Sequence, residues 1–146
     1  MSILEIDPPL PELSRKERVF FKAAKTVSEL SDHRFQLGCI VVDKHRIISS
    51  GHNSKTKCHR LQAELDQKYF GTESKGPVHA ELDALLPLLN RRAELSNATL
   101  YIYREDKLQH LAMARPCPRC MSLIKKCGIK KIKYTTYDGV ASEKIV

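Results

Sequence analysis

The 146 residues suit one domain of ordinary size, and 42% apolar residues supply the material for a core. Six glycines and seven prolines exclude collagen-like and low-complexity classes, and no apolar run approaches the roughly 20 residues that span a bilayer. Twenty-five Lys and Arg against 17 Asp and Glu leave a net charge of +8, which suggests an anionic partner without naming one.

In chain order, residues 1–13 carry Pro8, Pro9 and Pro11 and read as an irregular arm of a single 1–146 domain. The arm lacks a basic region followed by an apolar one, so a secretory signal is not expected. Ser14 and Glu17 form a capping box, in which a hydroxyl and a carboxylate satisfy free backbone N–H groups at a helix start. Val19, Phe20, Ala23, Ala24, Val27 and Leu30 then recur at helical spacing, which predicts a helix from about Arg15 to Leu30. Two short runs rich in β-branched residues, Leu37–Val42 and Arg46–Gly51, predict a β-hairpin. A short helix is expected within Leu61–Phe70, and another from about Pro77, a residue welcome in a first turn. Leu82, Leu85, Leu86 and Leu89 give that helix an apolar face, and Pro87 should kink or shorten it. Ala98–Tyr103 reads as a third strand, followed by a polar segment, Arg104–Ala114, open to reading as a lid or as an inert loop. A helix from Pro118 should stop at Gly128, and Ile129–Thr136 alternates as a fourth strand. Only Tyr137–Val146 remains to supply a fifth. The β-α-β succession at the end implies a parallel pair.

Five cysteines, Cys39, Cys58, Cys117, Cys120 and Cys127, make an odd number in a chain without an expected signal. That combination argues against a disulfide scaffold and for reduced thiols in a cytoplasmic compartment. Cys39 and Cys127 sit among apolar neighbours and read as packing. Pro116-Cys117-Pro118-Arg119-Cys120 is different: it sets two thiols at i and i+3 on a first helical turn, where both sulfurs can face one ion and the helix dipole favours thiolate. Alone, such a pair is half of a structural zinc site, a redox pair or two small buried residues. Upstream, His79 and Glu81 stand at the start of another predicted helix. His79, Cys117 and Cys120 then make three ligands from two helix N-termini, leaving a fourth position for water, as in catalytic zinc sites. Glu81 is placed to exchange protons with that water. The combination of H-x-E with P-C-x-x-C is the zinc deaminase signature.

On those residues, and on the order of elements from Arg15 to Thr136, the chain resembles the zinc-dependent cytidine/deoxycytidylate deaminase superfamily. The resemblance implies an α/β, three-layer fold with a mixed β-sheet of four to five strands flanked by helices. It also implies one zinc per chain and hydrolytic deamination of cytosine: zinc-bound hydroxide attacks C4 while Glu81 shuttles protons. By position within the family pattern, Asn53 and the backbone N–H of Ala80 are candidate substrate contacts; Asn53 reads equally as a turn residue. Arg115 stands where relatives often carry Glu, Ser or Thr, and it adds a charge at the mouth of the site. Members of this superfamily usually form homo-oligomers. Some deoxycytidylate deaminases hold a second, structural zinc, for which Cys58, His59 and His52 offer three ligands and no fourth.

The segments Arg115–Lys133 and Lys44–Arg60 carry seven and five basic residues and no acidic one. Either is open to reading as a solvated basic face. Lys55, Lys57, Arg60 and Arg119 lie nearest the proposed site in sequence and are candidate phosphate contacts. A phosphate-bearing nucleotide or nucleoside of the dCMP/cytidine type is therefore the expected substrate, with no membrane role. The alternative is cytosine or adenine in single-stranded DNA or RNA, with Tyr101, Tyr103, Tyr134 and Tyr137 as stacking candidates, although the first two share a strand face and suit a core.

Overall fold

The computed structural model describes residues 13–146, so nearly all of the expected N-terminal arm lies outside the described residues. The element order is α1 (Arg15–Ser28), β1 (Leu37–Asp43), β2 (Arg46–His52), α2 (Arg60–Phe70), α3 (Ala80–Asn90), β3 (Thr99–Arg104), α4 (Pro118–Lys126), β4 (Lys131–Thr136) and β5 (Gly139–Lys144). The strands form one sheet in the order β2-β1-β3-β4-β5, antiparallel except for the parallel pair β3–β4. A β3–β4 pair that runs parallel needs a crossover, and α4 is that crossover. β5 takes up the C-terminal residues as a hairpin with β4, turning at Tyr137-Asp138.

Alternation along the two central strands builds the layers. Cys39 and Val41 of β1, with Leu100 and Ile102 of β3, face a core shared with Leu82, Leu85 and Leu88 of α3 and Ile124 of α4. Ile40, Val42, Tyr101 and Tyr103 face the other way, onto Phe20, Phe21 and Ala24 of α1. Both faces are covered, so β1 and β3 are buried through most of their length, as strands between two layers must be. Tyr101, Tyr103 and Tyr134 are core residues, whereas Tyr137 stands on the surface.

Three boundaries depart from expectation. α1 stops at Ser28, where the Glu29 N–H donates to the Lys25 carbonyl and the Leu30 N–H to that of Val27. α3 starts at Ala80 rather than near Pro77, because Pro77 is drawn into a β-bridge with Cys58 and the Val78 N–H donates to Lys57. Pro87 neither ends nor truncates α3 at once: the helix continues to Asn90, because the ring lies on the exposed side close to the helix end. As expected, Ser14 and Glu17 form a capping box at α1, and Gly128 follows α4 at φ 85°, a left-handed position that suits glycine.

Gly51 fixes where α3 lies. A Cβ at that position would stand 2.3 Å from the Ala84 nitrogen and 2.6 Å from the Ala80 carbonyl oxygen, so β2 and the first turns of α3 touch backbone to backbone. Ser49 adds a bond from its hydroxyl to the Ala84 carbonyl at 2.6 Å, and the His52 N–H donates to Asp83 Oδ2 at 3.1 Å. Gly51→Ala should therefore cost about 1–3 kcal/mol of stability by overpacking, read as a lowered denaturant midpoint. An unchanged midpoint would show that α3 is free to move away from β2.

Candidate active site

His79 and Cys117 are the N-cap residues of α3 and α4, and neither side chain caps its helix. Both are left free for other work. Cys120, one turn into α4, is buried, and its Sγ lies 3.4 Å from His79 Nδ1; Cys117 Sγ lies 3.7 Å from the same nitrogen. All three donor atoms fall within 4.8 Å of one another, and among the described residues no other such group of histidine, cysteine and carboxylate donors occurs. A tetrahedral zinc with bonds of about 2.3 Å to sulfur and 2.0–2.1 Å to nitrogen has sulfur–nitrogen edges of about 3.5 Å. The observed separations fit that ion. Cys58 and His59, by contrast, are spent locally: the thiol on the Thr56 carbonyl at 3.5 Å, the imidazole accepting the Leu61 N–H at 3.0 Å as the N-cap of α2.

The electrostatics suit a cation. A hydrogen bond from Cys120, opposed by burial and aided by His79, lowers the Cys117 thiol to about 3. Cys120 moves the opposite way, well above the ordinary thiol value, because it donates to Cys117 and is buried near Glu81. Burial pulls His79 down, but the bond to Cys117 and the charge of Glu81 outweigh it, and the net shift is upward. Glu81, 3% exposed, is raised by burial, which outweighs the bond from Cys120 and the charge of His79. A carboxyl group raised toward neutrality is suited to give and take protons.

The family model described as the cytidine and deoxycytidylate deaminase zinc-binding region matches residues 14–136, most of the chain. The chain belongs to this deaminase family. A protein named deoxycytidylate deaminase from Enterobacteria phage T2 is 36% identical over 66 residues, covering 44% of this chain and 30% of that protein. The chain thus spans under a third of that relative's length. The crystal structure of dCMP deaminase from the cyanophage S-TIM5 in complex with dCMP and dUMP superposes with a TM-score of 0.57 at 23% identity, covering 84% of this chain and 83% of that one. Cytidine deaminase from Burkholderia pseudomallei superposes at 0.59 with 16% identity, covering 91% and 94%. These likenesses bear out the three-layer fold with its mixed sheet, which has five strands.

In this family member the donor cluster opens into a cavity of about 290 Å³. His79, Ala80, Glu81 and Cys117 line it together with Asn53, Arg115, His33, Phe35 and Arg104. The N–H of Ala80, at the start of α3, has no acceptor among the described residues, as expected in a first helical turn. Asn53 is largely committed to the loop before β1. Its Oδ1 accepts from Leu37 N at 2.9 Å and Ser31 Oγ at 2.6 Å, and its Nδ2 donates to the Phe35 carbonyl at 2.5 Å. One amide hydrogen remains. Arg115 is held by Glu143 of β5 through Nε at 2.8 Å and Nη2 at 3.1 Å, with the Tyr134 hydroxyl donating to the same carboxylate.

None of Lys55, Lys57, Arg60 and Arg119 lines this cavity. Lys57 pairs with Asp83 at 2.6 Å, Arg60 with Glu64 at 3.4 Å and Arg119 with Asp66 at 2.6 Å, while the Lys55 backbone N–H donates to Asp32. Net charge counts these cations as spare; the fold supplies two of them, Lys57 and Arg119, with carboxylates distant in sequence. The polar segment before the Pro-Cys motif is an excursion closed at its base. Thr135 Oγ1 accepts from Arg104 N at 3.1 Å and donates to the Ala112 carbonyl at 2.8 Å, and Ala112 N donates to the Arg104 carbonyl at 3.0 Å.

Supporting residues on α2 are not marked by any motif in the sequence. Gln62 is fully buried; its Oε1 accepts the His79 N–H at 3.2 Å and its Nε2 donates to Asp66 Oδ1 at 3.1 Å. Asp66 holds Arg119, whose guanidinium also stacks 4.4 Å from the Phe70 ring centroid and interacts with Cys117. The bonds run from one donor helix to the other through α2. The signal available was a Gln and an Asp at i and i+4, each directly after a leucine, Leu61 and Leu65. Asp66→Asn should weaken zinc binding about 10- to 100-fold in competition with a chelator; equal affinity would leave Asp66 with no part in holding the donors. Because His79 and Cys120 both sit above their ordinary values and must lose protons to bind, zinc affinity should rise with pH. An affinity flat with pH would contradict that protonation pattern.

Proposed function

We propose that the chain removes the exocyclic amine of cytosine in a free nucleotide or nucleoside of the dCMP/cytidine type, giving the uracil derivative and ammonia. The observation that carries this reading is Glu81, buried and raised toward neutrality, lining one cavity with His79 and Cys117 of the three-donor cluster. The name of the phage T2 relative and the complex of the cyanophage deaminase with dCMP and dUMP support the substrate class.

His79, Cys117 and Cys120 would hold the zinc ion, which supplies Lewis acidity that turns water into a nucleophile near neutral pH. Glu81 accepts a proton from the attacking water and delivers it to the ring nitrogen, then carries a second to the amine, which leaves as ammonia. The Ala80 N–H is free to take the base carbonyl, and the uncommitted hydrogen of Asn53 offers a further contact. A cavity of about 290 Å³ lies just below the usual range for ligand pockets, about 300–1,000 Å³. Burial of three of the four stacking candidates, Tyr101, Tyr103 and Tyr134, favours a free nucleotide over a bound strand.

Glu81→Gln should retain zinc and lose ammonia release by about 10²–10⁴-fold. Zinc content by elemental analysis and an ammonia-coupled assay check both halves; metal loss or undiminished turnover contradicts the role. Wild-type protein assayed in parallel on dCMP, cytidine and a cytosine-containing oligonucleotide should act on the small substrates. Turnover confined to the oligonucleotide and falling steeply with salt would overturn the reading.

A further inference from the structure

Two guanidinium groups line the cavity, and their bonding differs. Arg115 presents Nε and Nη2 side by side to Glu143, a two-pronged pairing with a carboxylate. Arg104, at the end of β3, has no carboxylate partner among the described residues. Its Nη1 donates to the Met113 carbonyl at 3.2 Å, while its Nε is buried and makes no hydrogen bond. No bond from Nη2 is present among the described residues either. The edge that Arg115 gives to Glu143 is, in Arg104, unmatched.

The surroundings hold that edge ready. Phe35, another cavity residue, lies with its ring centroid 5.0 Å from the Arg104 guanidinium carbon, so the plane of the group is braced by a ring and its in-plane donors are not consumed. The Met113 bond pins the opposite side, and Met113 is tethered in turn through the closed base of the 104–112 excursion. His33, also in the lining, accepts the Phe35 N–H at its Nδ1 (3.0 Å), which leaves Nε2 as the protonated donor of the neutral ring. The Arg104 Nε is closed off, so Nη2 is the unbonded donor that an anion in the cavity can meet.

We propose that Arg104 is the specificity-determining residue of the site and binds the phosphate of a nucleoside monophosphate through Nη2, its unbonded and accessible nitrogen. This rests on the nucleotide reading above and narrows it from nucleotide or nucleoside to nucleotide. A guanidinium held in plane by a ring and a carbonyl aims its free nitrogen in a fixed direction, which a flexible ammonium does not reproduce. The four lysines and arginines expected from the sequence to meet phosphate lie outside the cavity, so the role passes to a residue at a strand end that charge counting did not mark.

The test compares kcat/KM for dCMP and for deoxycytidine in the wild type, Arg104→Gln and Arg104→Lys. The wild type should prefer dCMP, and Arg104→Gln should lower the dCMP-to-deoxycytidine ratio by about 10- to 100-fold, with Arg104→Lys in between. A second readout needs no turnover: dUMP should raise the melting temperature of wild-type protein, and this shift should shrink in both variants. A ratio and a dUMP shift unchanged in Arg104→Lys and Arg104→Gln would overturn the assignment, as would equal losses on both substrates. Should Arg104→Gln fail to fold, Arg104→Lys decides alone. Failure of the wild type to deaminate either compound would overturn the proposed function itself, while a dUMP shift that depends on Arg104 would still uphold the phosphate contact.

Discussion

His79 and Cys117 stand at the N-cap positions of two helices that begin side by side, and the meeting of their donor atoms with Cys120 is the constraint on which the rest depends. Two helix N-termini in one place concentrate positive potential and unpaired N–H groups, an arrangement that needs thiolate charge and ligands to be tolerable. The low thiol value of Cys117 comes first from the Cys120 thiol, with His79 and the Cys120 backbone N–H adding to it, and Glu81 shares the buried setting, which raises its own value. A protein built to hold an ion by structure alone has no use for a carboxyl group placed there. The same packing that assembles the donors therefore also buries Glu81 beside them.

The sheet exists to place those helices. α4 is the crossover of the parallel β3–β4 pair, so its start falls at the end of β3; α3 is pressed against β2 at Gly51 with no room for a side chain. Because β1 and β3 are covered on both faces, neither helix can drift without opening a core. α2 completes the support through Gln62 and Asp66, and the bond from Gln62 to the His79 backbone holds the start of α3 against α2. The loop before β1 is held in place by Asn53, which makes that residue as much a part of the architecture as of the cavity.

Local patterns are legible in the sequence where a single element carries the information. The capping box at Ser14, the β1–β2 hairpin, and the Pro-Cys-x-x-Cys helix start all take the expected form. The donor cluster is legible because its three members come from motifs whose chemistry is specific. What the sequence does not disclose depends on pairings between distant segments. Arg115 meets Glu143, Lys57 meets Asp83 and Arg119 meets Asp66, so residues that look like free cations in a string are neutralised in space. Conversely, Arg104 reads in the string as the first residue of a loop, and only the fold gives it a ring, a carbonyl and an unmatched edge. The start of α3 departs from expectation for a similar reason: the bridge from Pro77 to Cys58 involves a partner 19 positions away, beyond the reach of helix-start rules.

One zinc ion between two helix N-termini, held by one imidazole and two thiolates with a position left for water, would explain this whole arrangement. X-ray absorption at the zinc edge of the purified, metal-loaded protein tests that coordination most directly. Two sulfur neighbours are expected at about 2.3 Å and two nitrogen or oxygen neighbours at about 2.0–2.1 Å, one of them exchangeable. A shell of four sulfurs, or a zinc whose neighbours are unchanged when Cys117 and Cys120 are both replaced by serine, would contradict it.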